Sequence, residues 1–104
     1  MERIAFKMTL LEGHVDEYKR RHQEIWPEIP ALLKQAGISA YSIYLDEQTN
    51  TLFATLKLTD SAQLDWLSQQ QQMREWWKYM SDITLSDAEG VPVLTTLNEL
   101  FHLA

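Results

Sequence analysis

A tyrosine and a histidine lie four residues apart, as Tyr18 and His22, shortly before Pro27. Histidine is the side chain whose unperturbed pKa lies closest to neutral pH, so it is a natural candidate for proton transfer. Residues i and i+4 of a helix point to the same side. Val15 and Ile25 fall on that side too, so we expect His22 to face the protein interior.

The chemical interpretation of His22 competes with a structural one. A lone histidine on an apolar helix face is more often a hydrogen-bonded structural residue than a catalyst. Tyr18, one helical turn earlier, favours a functional site around His22, because a buried phenol also needs a hydrogen-bond partner. The two side chains could together line a small polar pocket.

Further aromatic residues of possible function occur in two later segments. Trp76 and Trp77 are adjacent, and side chains at adjacent helical positions point about 100° apart. One indole could fill the core while the other lines a cleft, where its face suits the C–H faces of a sugar; both could equally be packing residues. Tyr41 belongs to a strand, on the face we expect to hold Ser39 and Ile43, and it could line a pocket or fill the sheet.

Composition excludes several classes of function. The chain has 104 residues, enough for one domain spanning residues 1–104, and no cysteine. Its net charge of −6 argues against nucleic-acid binding, and we interpret the short basic run from Lys19 to Arg21 as a solvated helix face. It lacks a signal-like N-terminus and a long apolar stretch, so we expect a cytoplasmic protein without membrane contact.

Motifs for metal and cofactor chemistry are absent from the sequence. The histidines show no paired metal-ligand spacing, three scattered glycines cannot form a phosphate-binding loop, and no nucleophile elbow is present. We therefore expect no metal and no cofactor. The chemistry that remains is proton transfer on a small neutral ligand.

The pattern of apolar residues predicts six elements in the order β-α-β-β-α-β. Periods of two predict strands, periods near 3.6 predict helices, and a four-residue loop predicts a hairpin. Pro27 should interrupt the first helix, and Pro30 should make the second piece begin late or irregularly. The run of glutamines at 69–72 is a candidate break in the last helix. The predicted ranges are strand 3–10, helix 13–35, strands 38–46 and 51–59, helix 62–82 and strand 96–103.

This order is typical of the ferredoxin-like α+β fold, an antiparallel sheet with helices on one face. The other sheet face would then carry apolar residues that nothing in the chain covers, which is unfavourable in water. Two such sheets can cover each other across a two-fold axis. We therefore predict a homodimer, organised as a dimeric α+β barrel.

Three sequence blocks resemble the L-rhamnose mutarotase family. They are YKRRH with IWPE (18–22 and 25–28), YSIYLD (41–46) and WWKYM (76–80), and the likeness extends from Arg3 to Leu103. The resemblance implies a dimeric α+β barrel enzyme that interconverts the α and β anomers of L-rhamnose. It places His22 at the position of the family's general acid, and it places Tyr18, Tyr41, Trp76 and Trp77 at those of its sugar-binding residues.

Mutarotation requires acid–base chemistry alone, which a histidine near neutral pH can supply. We expect His22 to exchange a proton with the ring oxygen while Tyr18 and Tyr41 hold hydroxyls, with water or a tyrosine as the second proton-transfer group. Two alternatives share the architecture. One is a monooxygenase or haem-degrading enzyme, and the other is a barrel that binds a small ligand without catalysis.

Overall fold

The computed structural model describes residues 1–104, and its elements follow the predicted order with each helical segment divided in two. The elements are β1 (Glu2–Thr9), α1 (Val15–Gln23), α2 (Glu28–Gln35), β2 (Ile38–Asp46), β3 (Thr51–Leu58), α3 (Gln63–Ser68), α4 (Gln71–Met80) and β4 (Leu94–Leu97).

The four strands form one antiparallel sheet in the order β2-β3-β1-β4, which is the ferredoxin-like arrangement. The alternation in β3 is clean, because every second residue from Leu52 to Leu58 is buried and those between are exposed. The buried face meets the helices. Each leucine that it buries contributes roughly 1.5–3 kcal/mol relative to an exposed one.

The core lies between this inner sheet face and α2, α3 and α4. It contains ten buried residues: Ile29, Ala36, Ile38, Leu56, Leu58, Leu67, Met73, Trp76, Met80 and Ile83. Helix α1 packs at the side of this core through Tyr18. The helix that carries His22 thus borders the core without crossing it.

The predicted interruption near Pro27 is confirmed. Helix α1 ends at Gln23, and Pro27 lies just before α2 with a φ of −57°. The prediction for Pro30 was wrong, since α2 begins at Glu28. Pro30 falls in the first turn of α2, where backbone N–H groups have no acceptor inside the helix, so its missing N–H costs nothing.

The later helix is also divided where the sequence indicated. Helix α3 ends at Ser68 and α4 starts at Gln71, within the glutamine run. Gln70 between them is extended, with φ −76° and ψ 130°. The break lets α4 take its own direction and lay Met73, Trp76 and Met80 on the core.

A β-bulge in β2 changes which residues face the helices. Ser39 pairs with Lys57 and Ser42 with Thr55, so Ala40 and Tyr41 together lie opposite one residue of β3. Ala40 adopts a positive φ of 50°. The prediction that Ser39 and Tyr41 share a face was therefore wrong: Ser39 points outward and Tyr41 inward.

Strand β4 is shorter than predicted. It covers Leu94–Leu97 rather than 96–103, and the last residues form no regular structure. Leu100, Phe101 and Leu103 are 95%, 81% and 81% exposed. Arg3 ties this segment to β1, since its Nε and Nη2 donate to the carboxylate of Glu99 at 2.9 and 3.0 Å.

The outer sheet face is uncovered within one chain, as expected from the fold. Tyr44 and Phe53 pair directly across β2 and β3 on this face and are 63% and 36% exposed. Polar residues such as Thr55 and Lys57 lie between the apolar ones. The face is thus mixed in character.

Candidate active site

A cavity of about 680 Å³ lies between the inner sheet face and the helices. Most of its lining is apolar, including Ile4, Phe6, Ile29, Leu33, Leu64 and Met73. Polar and aromatic groups enter from α1, β2 and α4, and Arg3, Thr84 and Thr96 also border the cavity. All five residues singled out in the sequence line this cavity: Tyr18, His22, Tyr41, Trp76 and Trp77.

The hydrogen bond of His22 determines which of its ring nitrogens is available. Nδ1 lies 3.0 Å from the carbonyl oxygen of Tyr18 in the preceding helical turn. A carbonyl oxygen can only accept, so Nδ1 carries a proton and donates it. In the neutral imidazole Nε2 then holds the lone pair, and the ring can take up or return a proton there.

Burial lowers the pKa of His22 below its ordinary value of 6.5, and the backbone hydrogen bond to Tyr18 opposes this shift in part. The cause is desolvation, which disfavours the charged imidazolium. The neutral form therefore dominates at neutral pH. The imidazolium, when it forms, is a stronger acid than a solvent-exposed one.

The two phenols remain protonated over the physiological range. Burial raises the pKa of Tyr18 well above its usual value, and the nearby Tyr41 phenol raises it further. Burial also raises the pKa of Tyr41 to about 12, although 37% of that side chain is exposed. Both groups can thus donate hydrogen bonds to a neutral ligand.

The adjacent tryptophans have separate roles in packing. Trp76 is buried at 5% exposure and belongs to the core, whereas Trp77 is half-buried. Both still line the cavity. The prediction that one indole fills the core while its neighbour borders a cleft describes this arrangement.

Trp26 and Tyr79 extend the aromatic group beyond the residues that the sequence indicated. The Trp26 ring stacks on Tyr79 at a centroid distance of 5.3 Å and meets Trp76 edge to face at 5.1 Å. Trp76 in turn meets His22 at 5.7 Å. Trp26 lies in the IWPE block, but no periodicity marked it, because it sits in the link between α1 and α2.

Arg21 corrects the interpretation of the basic run as a solvated face. Its side chain is only 8% exposed. The guanidinium donates to Asp82 and to the backbone carbonyl of Tyr79, both at 2.8 Å through Nη1. Arg20, by contrast, is 51% exposed and pairs with Glu17 and Glu24 on the surface.

A second concavity, of about 520 Å³, opens between α1 and the β2–β3 hairpin. It shares Tyr18, His22 and Ile43 with the first cavity and adds Lys19, Gln23 and Glu47 at its rim. His22 thus borders both spaces. Solvent or ligand can approach the imidazole from this side.

No group of three or more histidine, aspartate or glutamate side chains comes together in a way that could hold a metal ion. Nor does any helix combine the length and apolar character needed to cross a lipid bilayer.

Structural comparison at low sequence identity identifies the fold. An antibiotic biosynthesis monooxygenase superposes with a TM-score of 0.63 at 11% identity, covering 96% of this chain and 99% of that one. This likeness confirms the predicted ferredoxin-like α+β class. It carries no information about chemistry at such low identity.

Comparison with closer relatives identifies the family. A family model described as L-rhamnose mutarotase matches residues 3–103. The L-rhamnose mutarotase of Burkholderia ambifaria is 48% identical over 103 residues, 99% of each chain, and that of Listeria monocytogenes is 45% identical over the full length of both. The crystal structure of an L-rhamnose mutarotase from Formosa agariphila superposes with a TM-score of 0.93 at 41% identity and covers both chains completely. The resemblance seen in the three sequence blocks is confirmed, and this chain belongs to the L-rhamnose mutarotase family.

Proposed function

We propose that this protein interconverts the α and β anomers of L-rhamnose by acid–base ring opening and closure, with His22 as the proton-transfer group. The observation that carries the proposal is the geometry of His22. Its Nδ1 is occupied by the Tyr18 carbonyl, which leaves Nε2 as the nitrogen that can exchange a proton with a bound sugar.

The reaction consists of one bond broken and remade. In the opening step the anomeric hydroxyl loses its proton, the bond from C1 to the ring oxygen breaks, and the ring oxygen takes a proton. The aldehyde then rotates about the C1–C2 bond, and the same hydroxyl attacks its other face. Atoms and electrons balance without any co-reactant.

His22 serves the ring oxygen in both directions. As imidazolium it donates from Nε2 when the ring opens, and as neutral imidazole it accepts that proton when the ring closes. A positioned group of this kind contributes about 10² to 10⁴ in rate. The proton of the anomeric hydroxyl is exchanged with water or with a tyrosine phenol.

Tyr18 and Tyr41 orient the sugar through their hydroxyl groups. Both phenols are protonated at neutral pH because burial raises their pKa values, so they donate to sugar oxygens. Trp76 and Trp77 supply apolar ring surface for the C–H faces of the sugar. The apolar remainder of the cavity suits a sugar with a methyl group in place of a hydroxymethyl group, because a hydroxyl placed there would lack a partner.

The protein acts as a cytoplasmic homodimer in this proposal. Support comes from the outer sheet face, where Tyr44 and Phe53 are exposed side by side, and from the exposed apolar residues of the C-terminal segment. Packing two such faces together would remove both from water. The absence of cysteine is compatible with a reducing compartment.

Saturation-transfer NMR on the two anomers of L-rhamnose tests the catalytic proposal. The wild-type protein should accelerate exchange near neutral pH, and His22→Ala should lower the rate by about 10²- to 10⁴-fold. Tyr44→Phe, on the outer face, is a matched control that should retain full activity. Wild-type exchange at the uncatalysed rate would overturn the function, and full activity of His22→Ala would overturn the role of His22.

A further inference from the structure

Arg21 immediately precedes His22 and is the one charged residue that the fold buries. Its Nε donates to Glu17 at 2.7 Å, and its two Nη groups donate to the carboxylate of Asp82 at 2.8 and 3.2 Å. A third acceptor is the carbonyl oxygen of Tyr79, 2.8 Å from Nη1. Hydrogen bonds from a charged guanidinium to two carboxylates and a carbonyl hold a buried arginine in one orientation.

These contacts join two elements that supply different parts of the site. Glu17 belongs to α1, whereas Tyr79 lies in the last turn of α4 and Asp82 just beyond it. Few close backbone contacts hold α1 to the rest of the fold. The guanidinium therefore fixes the position of α1 relative to α4 where backbone packing does not.

Aromatic contacts lead from the guanidinium to the imidazole. The Arg21 guanidinium carbon lies 4.2 Å from the centroid of the Tyr79 ring. Tyr79 packs against Trp76 at 5.7 Å, and Trp76 meets the His22 ring edge to face at the same distance. Arg21 thus packs on a ring, Tyr79, that itself packs against the indole in contact with His22.

We propose that Arg21 is a positioning residue for His22, locking the last turn of α1 to the end of α4 so that the imidazole is held at the edge of Trp76 with Nε2 toward the cavity. This inference rests on the proposed catalytic role of His22. Side chains at adjacent helical positions point about 100° apart, so Arg21 acts through the helix and through Tyr79 rather than on the sugar.

Lysine cannot replace Arg21 in this positioning role. A single ammonium group lacks the planar fork that bonds both oxygens of Asp82, and it cannot stack on the Tyr79 ring while reaching Glu17 on the other side. Misplacement of a catalytic group by about 1 Å can cost 10²-fold in rate. We expect the larger loss in kcat, because proton transfer depends on the position of His22 itself, whereas Tyr18 on the same helix is one of four proposed sugar-binding groups.

The test uses Arg21→Lys and Asp82→Asn, which retain hydrogen-bonding side chains, with Arg20→Lys as the matched control. Arg20 is adjacent and exposed and pairs with Glu17 and Glu24, so its replacement changes surface ion pairs while Arg21 keeps its bonds to Asp82 and to the Tyr79 carbonyl. We expect kcat of both test variants to fall about 10- to 100-fold with a smaller change in KM, and Arg20→Lys to match wild type. Rates are measured at a temperature where thermal unfolding shows every variant fully folded.

The chemical shifts of the His22 ring protons provide a readout that a purely structural role would not move, because they depend on where the imidazole lies against the Trp76 ring. These shifts should be the same in wild type and Arg20→Lys and should change in the test variants. Wild-type kcat in folded Arg21→Lys and Asp82→Asn, or unchanged His22 ring-proton shifts despite a lower kcat, would overturn the positioning role. Either result is distinct from a failure of the proposed function, which would show as an active His22→Ala or an inactive wild type.

Discussion

His22 and Trp76 meet edge to face, with ring centroids 5.7 Å apart and planes at 86°. The imidazole comes from α1 and the indole from α4, so this contact joins the proposed proton-transfer group to a core residue. Tyr18 also contacts the imidazole, with ring centroids 4.4 Å apart. The ring thus packs against both a phenol and an indole, and these contacts restrict its rotation.

Replacing the two tryptophans should separate stability from binding. Trp76→Ala removes a core side chain and should lower the free energy of unfolding by roughly 3–5 kcal/mol. Trp77→Ala removes a half-buried one, so the protein should stay folded with a higher KM. Denaturant unfolding and anomer-exchange kinetics measure the two effects. Equal losses of stability would contradict the different burial of the two indoles.

Removing the Tyr18 hydroxyl should affect activity more than stability. The hydroxyl lies in apolar surroundings that raise its pKa, so Tyr18→Phe should leave the melting temperature unchanged or higher. The loss of a hydrogen bond to the sugar should lower kcat/KM about tenfold, a value that corresponds to roughly 1.4 kcal/mol. Tyr44→Phe on the outer face is the control for loss of a phenol alone. An unchanged kcat/KM in Tyr18→Phe would exclude contact with substrate.

The pH dependence of stability should report the burial of His22. Because its folded-state pKa lies below the unfolded value of about 6.5, the unfolded chain binds more protons as the pH falls through that value. Stability attributable to His22 is therefore fully present above pH 6.5 and declines until the folded-state pKa is reached. Subtracting the unfolding free energy of His22→Gln from that of the wild type at each pH isolates this effect, since His14 and His102 are common to both proteins. A difference that does not vary between pH 5 and pH 8 would contradict the lowered pKa.

Gly37 should be intolerant of any side chain. It ends α2 with a φ of +79°, and an added Cβ would collide with the Thr59 hydroxyl oxygen. Gly13 has a similar φ of +84° with open space around it. Gly13→Ala should cost about 1–2 kcal/mol from the left-handed backbone alone, and Gly37→Ala should cost measurably more. Equal unfolding free energies for the two variants would show that Thr59 adjusts freely.

Charge on the outer sheet face should separate the proposed dimer. Tyr44 and Phe53 are cross-strand neighbours, so replacing both with aspartate places two like charges where the partner sheet would lie. Light scattering should give a dimer for wild type and a monomer for the double variant at micromolar concentration. Glu47→Gln, in the exposed hairpin loop, is the control. A monomeric wild type would refute the dimer.

Much of the fold follows from local patterns in the chain. The alternation in β3, the Pro27 break and the glutamine run each act within a few residues, so they can be recognised without the tertiary structure. The end of β4 could not be predicted in this way, because its pairing with β1 spans few residues and no local sequence signal marks where the strand stops. Its apolar C-terminal segment looks like a strand in sequence yet lies exposed in the single chain.

The residues that line the cavity were predicted where chemistry and family resemblance agreed, and contacts were missed where burial depends on distant residues. His22 and Tyr18 carry a recognisable helical spacing. Arg21 looks like its neighbour Arg20 in sequence, and its partners Tyr79 and Asp82 are 58 and 61 residues away. No local pattern could show that one of two adjacent arginines is buried and the other is not.

The bulge at Ala40 determines the face of the sheet on which Tyr41 lies. Before the bulge, even-numbered residues of β2 face the helices, and after it odd-numbered ones do. Alternation continued from Ile38 without the bulge would place Tyr41 beside Ser39 on the outer face, outside the cavity. Deleting Ala40 while the β2–β3 hairpin kept its register would leave Tyr41 on the inner face. A shift of that register by one residue would instead turn Tyr41 and Ile43 outward together. The register of the hairpin is therefore as much a requirement of the site as the tyrosine itself.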